Sequence, residues 1–193
     1  MVMNAGKNKG EKANDTPTPI ELVEYITQLL EPLKPKKVLD PACGSGILTS
    51  KLTDIETVQY DIIIQKDFFY ADKEDNIDCV ICNPPFNRSC GECGKGRVLL
   101  PEAFMDKILD VVGSNTPIIL ITPMGFRLNC RKKSKRRKKL IDKYPPISSI
   151  ISLPLDIFEG VLFHTEILCF NCPWLKPHYT YGEEITFSPS SSS

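Results

Sequence analysis

No apolar run in this chain of 193 residues approaches the ~20 residues that a bilayer-spanning helix needs. The start, Asn4 to Asp15, is polar, so no signal peptide is read there either. These absences point to a soluble, intracellular, cytoplasmic protein without a membrane partner. Net charge is also lacking, with 24 basic and 24 acidic residues, but the balance conceals an asymmetry. Arg131 to Lys139 holds eight basic residues in nine positions, and removing them leaves 16 basic against 24 acidic residues, a balance of −8. One concentrated positive patch therefore stands on an otherwise acidic protein. Hydrophobic residues at 41% and charged residues at 25% are ordinary for a globular domain, and the length gives one sizeable core rather than two.

Nothing demands a disulfide framework, because an intracellular setting makes the eight cysteines thiols by default. Cys79/Cys82 and Cys169/Cys172 lie in apolar, strand-like runs, where residues three apart point to opposite faces. They read as small core hydrophobes. Cys90-Gly-Glu-Cys93-Gly has the glycines of a zinc half-site, but no second pair stands nearby. A reduced loop is the favoured reading, and no metal is expected.

The order of elements reads as α/β. Residues 1–15 are expected as a disordered tail, 16–176 as the folded domain and 177–193 as a flexible C-terminal tail. Thr18 can cap a helix whose first turn holds Pro19, with Ile20, Val23, Ile26, Leu29 and Leu30 at helical spacing and an end before Pro32. Val38 and Leu39 form a short buried strand, and Gly44 and Gly46 allow a tight turn into a helix from about Ile47 to Thr53. Such a turn lets a ligand approach the backbone closely. The absence of Gly-x-Gly-x-x-Gly argues against a dinucleotide but leaves other cofactors open. Thr57 to Asp61 is the second strand, and Asp61 at its end is the candidate acceptor for ribose hydroxyls. Only five residues separate it from Asp67-Phe68-Phe69, too few for a helix and its turns.

Asp78 to Phe86 reads Asp-Cys-Val-Ile-Cys-Asn-Pro-Pro-Phe, a buried strand stopped by two prolines that cannot donate ladder hydrogen bonds. Asn83 is left at the strand's end. Its side-chain oxygen and the Pro84 carbonyl could accept the two hydrogens of an exocyclic amine, freeing a lone pair that is otherwise delocalised. Phe86 could stack on a planar group. An ordinary Asn-Pro turn after a core strand remains the alternative. A glycine-rich loop follows, then an amphipathic helix from Phe104 to Val112 and a buried strand from Pro117 to Pro123. Two further apolar runs, Ile147 to Leu153 and Glu166 to Asn171, suggest a terminal hairpin with one antiparallel strand.

Asn83-Pro84-Pro85-Phe86 resembles the catalytic signature of S-adenosylmethionine-dependent N6-adenine DNA methyltransferases. Asp40-Pro41-Ala42-Cys43-Gly44-Ser45-Gly46 resembles their cofactor motif, which implies that Asp40, Pro41, Ala42, Gly44 and Gly46 cradle the amino-acid part of S-adenosylmethionine. Thr18-Pro19 resembles the Thr-Pro motif that precedes the glycine loop in the γ order and touches the cofactor, with Thr16-Pro17 as a competing register. Asp67-Phe68 resembles a third motif beside the cofactor's adenine or the target, against a capping Asp before core phenylalanines. Leu153 to Phe158 resembles a loop supporting the target base, which makes Phe158 a nucleic-acid candidate.

The resemblance implies a doubly wound, mostly parallel seven-stranded sheet with an antiparallel terminal hairpin, and methyl transfer to adenine N6. The basic residues Arg131, Lys132, Lys133, Lys135, Arg136, Arg137, Lys138 and Lys139 then read as phosphate contacts at the cleft mouth, with a solvated helix face or a nuclear-localisation signal as alternatives. DNA is the expected partner, with RNA second. Little of the chain is left beyond the catalytic fold for a separate target-recognition region, so loose or short sequence specificity, recognition by a partner subunit, or a substrate other than duplex DNA is expected. Methylation of ribosomal RNA or of a protein glutamine, and a catalytically silent nucleic-acid-binding subunit, stand as alternatives.

Overall fold

The computed structural model describes residues 17–86, 99–128 and 134–187. Helix α1, Ile20–Leu29, starts on Pro19, whose carbonyl accepts the amides of Leu22 and Val23. Thr18 does not cap it, contrary to the sequence expectation; no side chain does. The helix is held by packing instead, with Leu22, Val23, Tyr25, Ile26 and Leu29 buried on one face. Each fully buried aliphatic side chain there contributes roughly 1.5–3 kcal/mol.

The strands are β1 Lys37–Asp40, β2 Glu56–Gln59, β3 Cys79–Cys82, β4 Ile118–Pro123, β5 Ile147–Ser152, β6 Thr165–Phe170 and β7 His178–Thr180. They form one seven-stranded sheet in the order β2-β1-β3-β4-β6-β5-β7. All neighbours are parallel except around β6, which runs antiparallel to both β4 and β5. This is the expected doubly wound α/β sheet with an antiparallel closing hairpin. Alternation along the strands divides the core in two. Val38, Cys79, Ile81, Ile119, Ile121, Ile167 and Cys169 face α1, while Leu39, Val80, Cys82, Ile118, Leu120, Leu168 and Phe170 face α2, Leu100–Val112. Cys79, Cys82, Cys169 and Cys172 are buried and unoxidised, as the apolar runs predicted.

Two expectations are corrected. The helix from Ile47 to Thr53 is a single 3-10 turn, Ile47–Thr49. The Thr49 and Ser50 hydroxyls donate back to the carbonyls of Gly46 (3.2 Å) and Ile47 (2.7 Å), which favours turns over a continuing helix. With β2 beginning at Glu56, no length remains for more. The tail expected from residue 177 contains β7, which pairs in parallel with β5. Tyr179 is fully buried there, and its hydroxyl donates to the Thr186 carbonyl at 2.6 Å. Among the described residues no helix is long and apolar enough to cross a membrane.

Candidate active site

Strand β1 is flanked by β2 on one side and β3 on the other, so the chain leaves β1 for β2 and then crosses back over β1 to reach β3, reversing its direction across the sheet. A crevice opens beyond the carboxyl ends of strands at such a switch point. Asp40 ends β1 and Asn83 follows β3, which brings the two sequence motifs to that crevice.

The glycine loop is stitched to the end of β2. The Tyr60 amide donates to the Asp40 carbonyl and the Cys43 amide to the Tyr60 carbonyl, both at 3.0 Å. Gly44 and Gly46 hold φ of +52° and +81°, left-handed values that a side chain would strain. Asp61 accepts the Gly44 amide (3.0 Å) and the Ile63 amide (2.8 Å), so its carboxylate fixes the loop's shape. Each oxygen keeps a second lone pair, and ribose hydroxyls remain within its capacity. Ile62, Ile63 and Ile64 follow with more than two-fifths of their surface exposed. This apolar platform beside Asp61 escaped the sequence reading because the run resembles a core strand.

Asp40 is completely buried. One oxygen accepts the Ala42 amide at 3.2 Å, and the other, Oδ2, has no partner. Burial pushes its pKa up to about 7; the Ala42 amide works against that rise and the charge of Asp61 adds to it. Pro41 is buried behind the loop and Ala42 is half-buried. A buried carboxyl with an orphaned oxygen fits a cationic ligand.

Asn83 is half-buried, and its amide nitrogen donates to the Thr18 hydroxyl at 3.0 Å. Among the described residues, no hydrogen bond engages the Asn83 side-chain oxygen or the Pro84 carbonyl. Thr18, almost fully buried, therefore orients the amide. Pro84 is buried and Pro85 exposed. The Phe86 ring packs edge-on against Phe158 (6.0 Å) and Phe163 (5.9 Å). Phe158, expected to touch nucleic acid, is only 2% exposed and backs Phe86 from the core. Phe163 was missed because it stands outside the segment that carried the resemblance.

Asp67 and Phe68 follow their structural alternative. The Asp67 side chain accepts the Phe69 amide at 3.0 Å and caps a 3-10 turn, Phe68–Tyr70. Phe68 is buried edge-on to Tyr60 and stacked on Phe104.

The basic run is divided. Helix α3 is Gly125–Leu128 and helix α4 is Lys135–Asp142, capped by Ser134, which accepts the Arg137 amide. Lys139 donates to Glu102 at 2.8 Å and to Asp106, and Arg136 lies 3.8 Å from Glu102. Burial works to lower the Lys139 pKa, but the bonds to Asp106 and Glu102 outweigh it and raise it. Both cations thus clamp α4 to α2, which a count of charges cannot reveal. Lys135, Arg137 and Lys138 are exposed and pair with no described residue. Arg131, Lys132 and Lys133 lie outside the described residues, as does the glycine-rich loop with Cys90 and Cys93. No cluster of metal-ligating side chains exists among the described residues. Also unforeseen is a buried ion pair: Glu166, fully buried at the start of β6, accepts two bonds from Arg127 at 3.2 and 2.9 Å. A lone acid inside an apolar strand was its signal.

A family model described as N-6 DNA Methylase matches residues 1–54 and 50–173. The chain belongs to the N-6 DNA methylase family. That match spans every candidate site residue from Thr18 to Phe158. Among solved structures, this N-6 DNA methylase family member is similar to a Listeria monocytogenes protein assigned to the class I S-adenosylmethionine-dependent methyltransferases. Identity there is 18% and the TM-score 0.64, over 91% of this chain and 68% of that one. It is also similar to a type I restriction-modification methyltransferase subunit from Streptococcus thermophilus, at 19% identity and a TM-score of 0.58, over 93% of this chain and 52% of that one. The type I restriction enzyme EcoKI M protein matches at 19% identity and a TM-score of 0.55, over 80% and 43%. The chain thus spans about half or less of the last two. No curated protein matches it.

Proposed function

We propose that this chain methylates the N6 amine of adenine in DNA, using S-adenosylmethionine. The observation that carries the reading is the Asn83–Thr18 hydrogen bond, which turns the Asn83 side-chain oxygen away from Thr18 and leaves it, like the Pro84 carbonyl, without a hydrogen-bond partner among the described residues. Two rigid acceptors suit the two hydrogens of an exocyclic amine and favour a pyramidal nitrogen. The prolines aim these acceptors before the substrate arrives, which lowers the ordering cost. Phe86 offers an apolar ring to a base drawn out of the duplex.

The glycine loop and its acids fit the cofactor. Asp40 Oδ2 would meet the ammonium group of the amino-acid end, Gly44 and Gly46 would allow close backbone approach, and Asp61 would accept the ribose hydroxyls. Ile62 to Ile64 would give the adenine ring an apolar surface. Bound S-adenosylmethionine would supply a methyl whose bond to sulfur breaks as the bond to N6 forms. An amide cannot act as a strong base, so Asn83 holds the amine's hydrogens and the surplus proton leaves after the methyl arrives.

Within the basic run, Lys135, Arg137 and Lys138 are the described cations with exposed side chains and no described ion-pair partner, free to meet phosphates. The chain is proposed to transfer the methyl group by itself, and a partner subunit would add sequence selectivity; the similar structures include methyltransferase subunits of type I restriction systems. The test is Asn83→Ala, followed by calorimetry with the cofactor and tritium transfer to DNA. Affinity for the cofactor should stay within about threefold while transfer falls at least 100-fold. Transfer retained above a few per cent would refute the role given to Asn83.

A further inference from the structure

We propose that Leu162 is a wedge that enters the base stack in place of the extruded adenine; this rests on the adenine-methylation reading above. Leu162 is 92% exposed, more than any other large hydrophobic residue among those described. A single exposed leucine is ordinary on a protein surface; its placement is what carries the inference. The segment from Leu153 to His164 joins β5 to β6 and so emerges at the sheet edge where Asn83 lies.

Both neighbours of Leu162 in the segment are anchored. Phe158 is buried, the Val161 amide donates to the Phe158 carbonyl at 3.3 Å, and Gly160 turns the backbone with φ of +74°. On the other side the Phe163 ring sits 5.9 Å from Phe86, and the His164 carbonyl accepts the Met124 amide at 3.0 Å. Leu162 is therefore presented outward from a braced loop, one residue from a ring that touches the signature segment. Extrusion of a base leaves an apolar gap between adjacent base pairs, and an aliphatic side chain is the type that fills one. Pro154 to Phe163 contains no lysine or arginine, while Asp156 and Glu159 are exposed. The loop is thus suited to bases and not to phosphates.

The test compares Leu162→Ser and Leu162→Met with the unaltered chain on native and heat-denatured genomic DNA that lacks N6-methyladenine. Leu162→Ser should lower kcat/KM about tenfold or more on native DNA and less than about twofold on denatured DNA, where no stack must be opened. Leu162→Met should retain activity on both, and the salt dependence of binding should not change. Equal losses on both substrates, or none on native DNA, would overturn the wedge while leaving the methylation reading intact. An unaltered chain that methylates neither substrate would overturn that reading and the wedge with it.

Discussion

Asp40 offers a test in which the site's chemistry is read through folding. Its carboxyl is fully buried, with one oxygen on the Ala42 amide and the other unpartnered. Its pKa is pushed from 3.8 to about 7, chiefly by burial. An acid whose pKa is raised by folding favours the fold while protonated, so this stabilisation is complete below about pH 4 and is lost as pH rises through about 7. Three units correspond to about 4 kcal/mol, of which about 2.5 kcal/mol should disappear between pH 5 and pH 8. Asp40→Asn keeps the acceptor for Ala42 and removes the titration. Its amide leaves an unpaired donor costing about 1–3 kcal/mol, but equally at both pH values. The difference in unfolding free energy between variant and unaltered chain should thus shift by about 2.5 kcal/mol in the variant's favour from pH 5 to pH 8. Urea unfolding without cofactor measures it. Parallel pH profiles would refute the reasoning. In the same variant cofactor affinity should fall, because the buried charge that is costly to the free protein is what a cationic ligand meets.

Other perturbations separate orientation, clamping and contact. Thr18→Val removes the acceptor that turns the Asn83 amide; methyl transfer should drop about 10- to 100-fold with cofactor affinity unchanged, whereas a cofactor contact by Thr18 would weaken affinity in calorimetry. Replacing Lys135, Arg137 and Lys138 together with glutamine should leave stability within about 0.5 kcal/mol and make the slope of log affinity for DNA against log salt shallower by about 2.7. Lys139→Met removes the closer of the two cations beside the nearly buried Glu102 and leaves Arg136 at 3.8 Å; it should cost about 1–3 kcal/mol in urea unfolding. Phe158→Ala should cost about 3–5 kcal/mol by the same measurement, as a core ring; a change confined to DNA binding would restore it as a direct contact.

Periodicity exposed the elements that bury a continuous apolar surface. Helix α1 and strands β1, β3, β4, β5 and β6 were legible because their packing faces recur at the period of the element. The short turn at Ile47 was not, because it depends on hydroxyls bonding back to their own backbone. Strand β7 was hidden by polar surroundings, since Tyr179 alone of its three residues is buried. At the site, Asp40, Gly44, Gly46 and Asn83 could be named from their motifs. What the motifs could not convey was tertiary pairing: Thr18 with Asn83, Asp61 with the Gly44 amide, and Lys139 with Glu102 and Asp106. Each joins residues far apart in sequence, so spacing along the chain carries no trace of it.

Methylation of adenine N6 in DNA is read out by the nucleoside that acquires a methyl group when the chain is expressed in cells lacking other adenine methyltransferases. Total DNA and RNA would be digested separately and the nucleosides resolved by mass. N6-methyladenine should appear in the DNA of cells carrying the unaltered chain and be absent with Asn83→Ala. Methylation confined to RNA or to protein, or DNA methylation that survives Asn83→Ala, would contradict the proposed function.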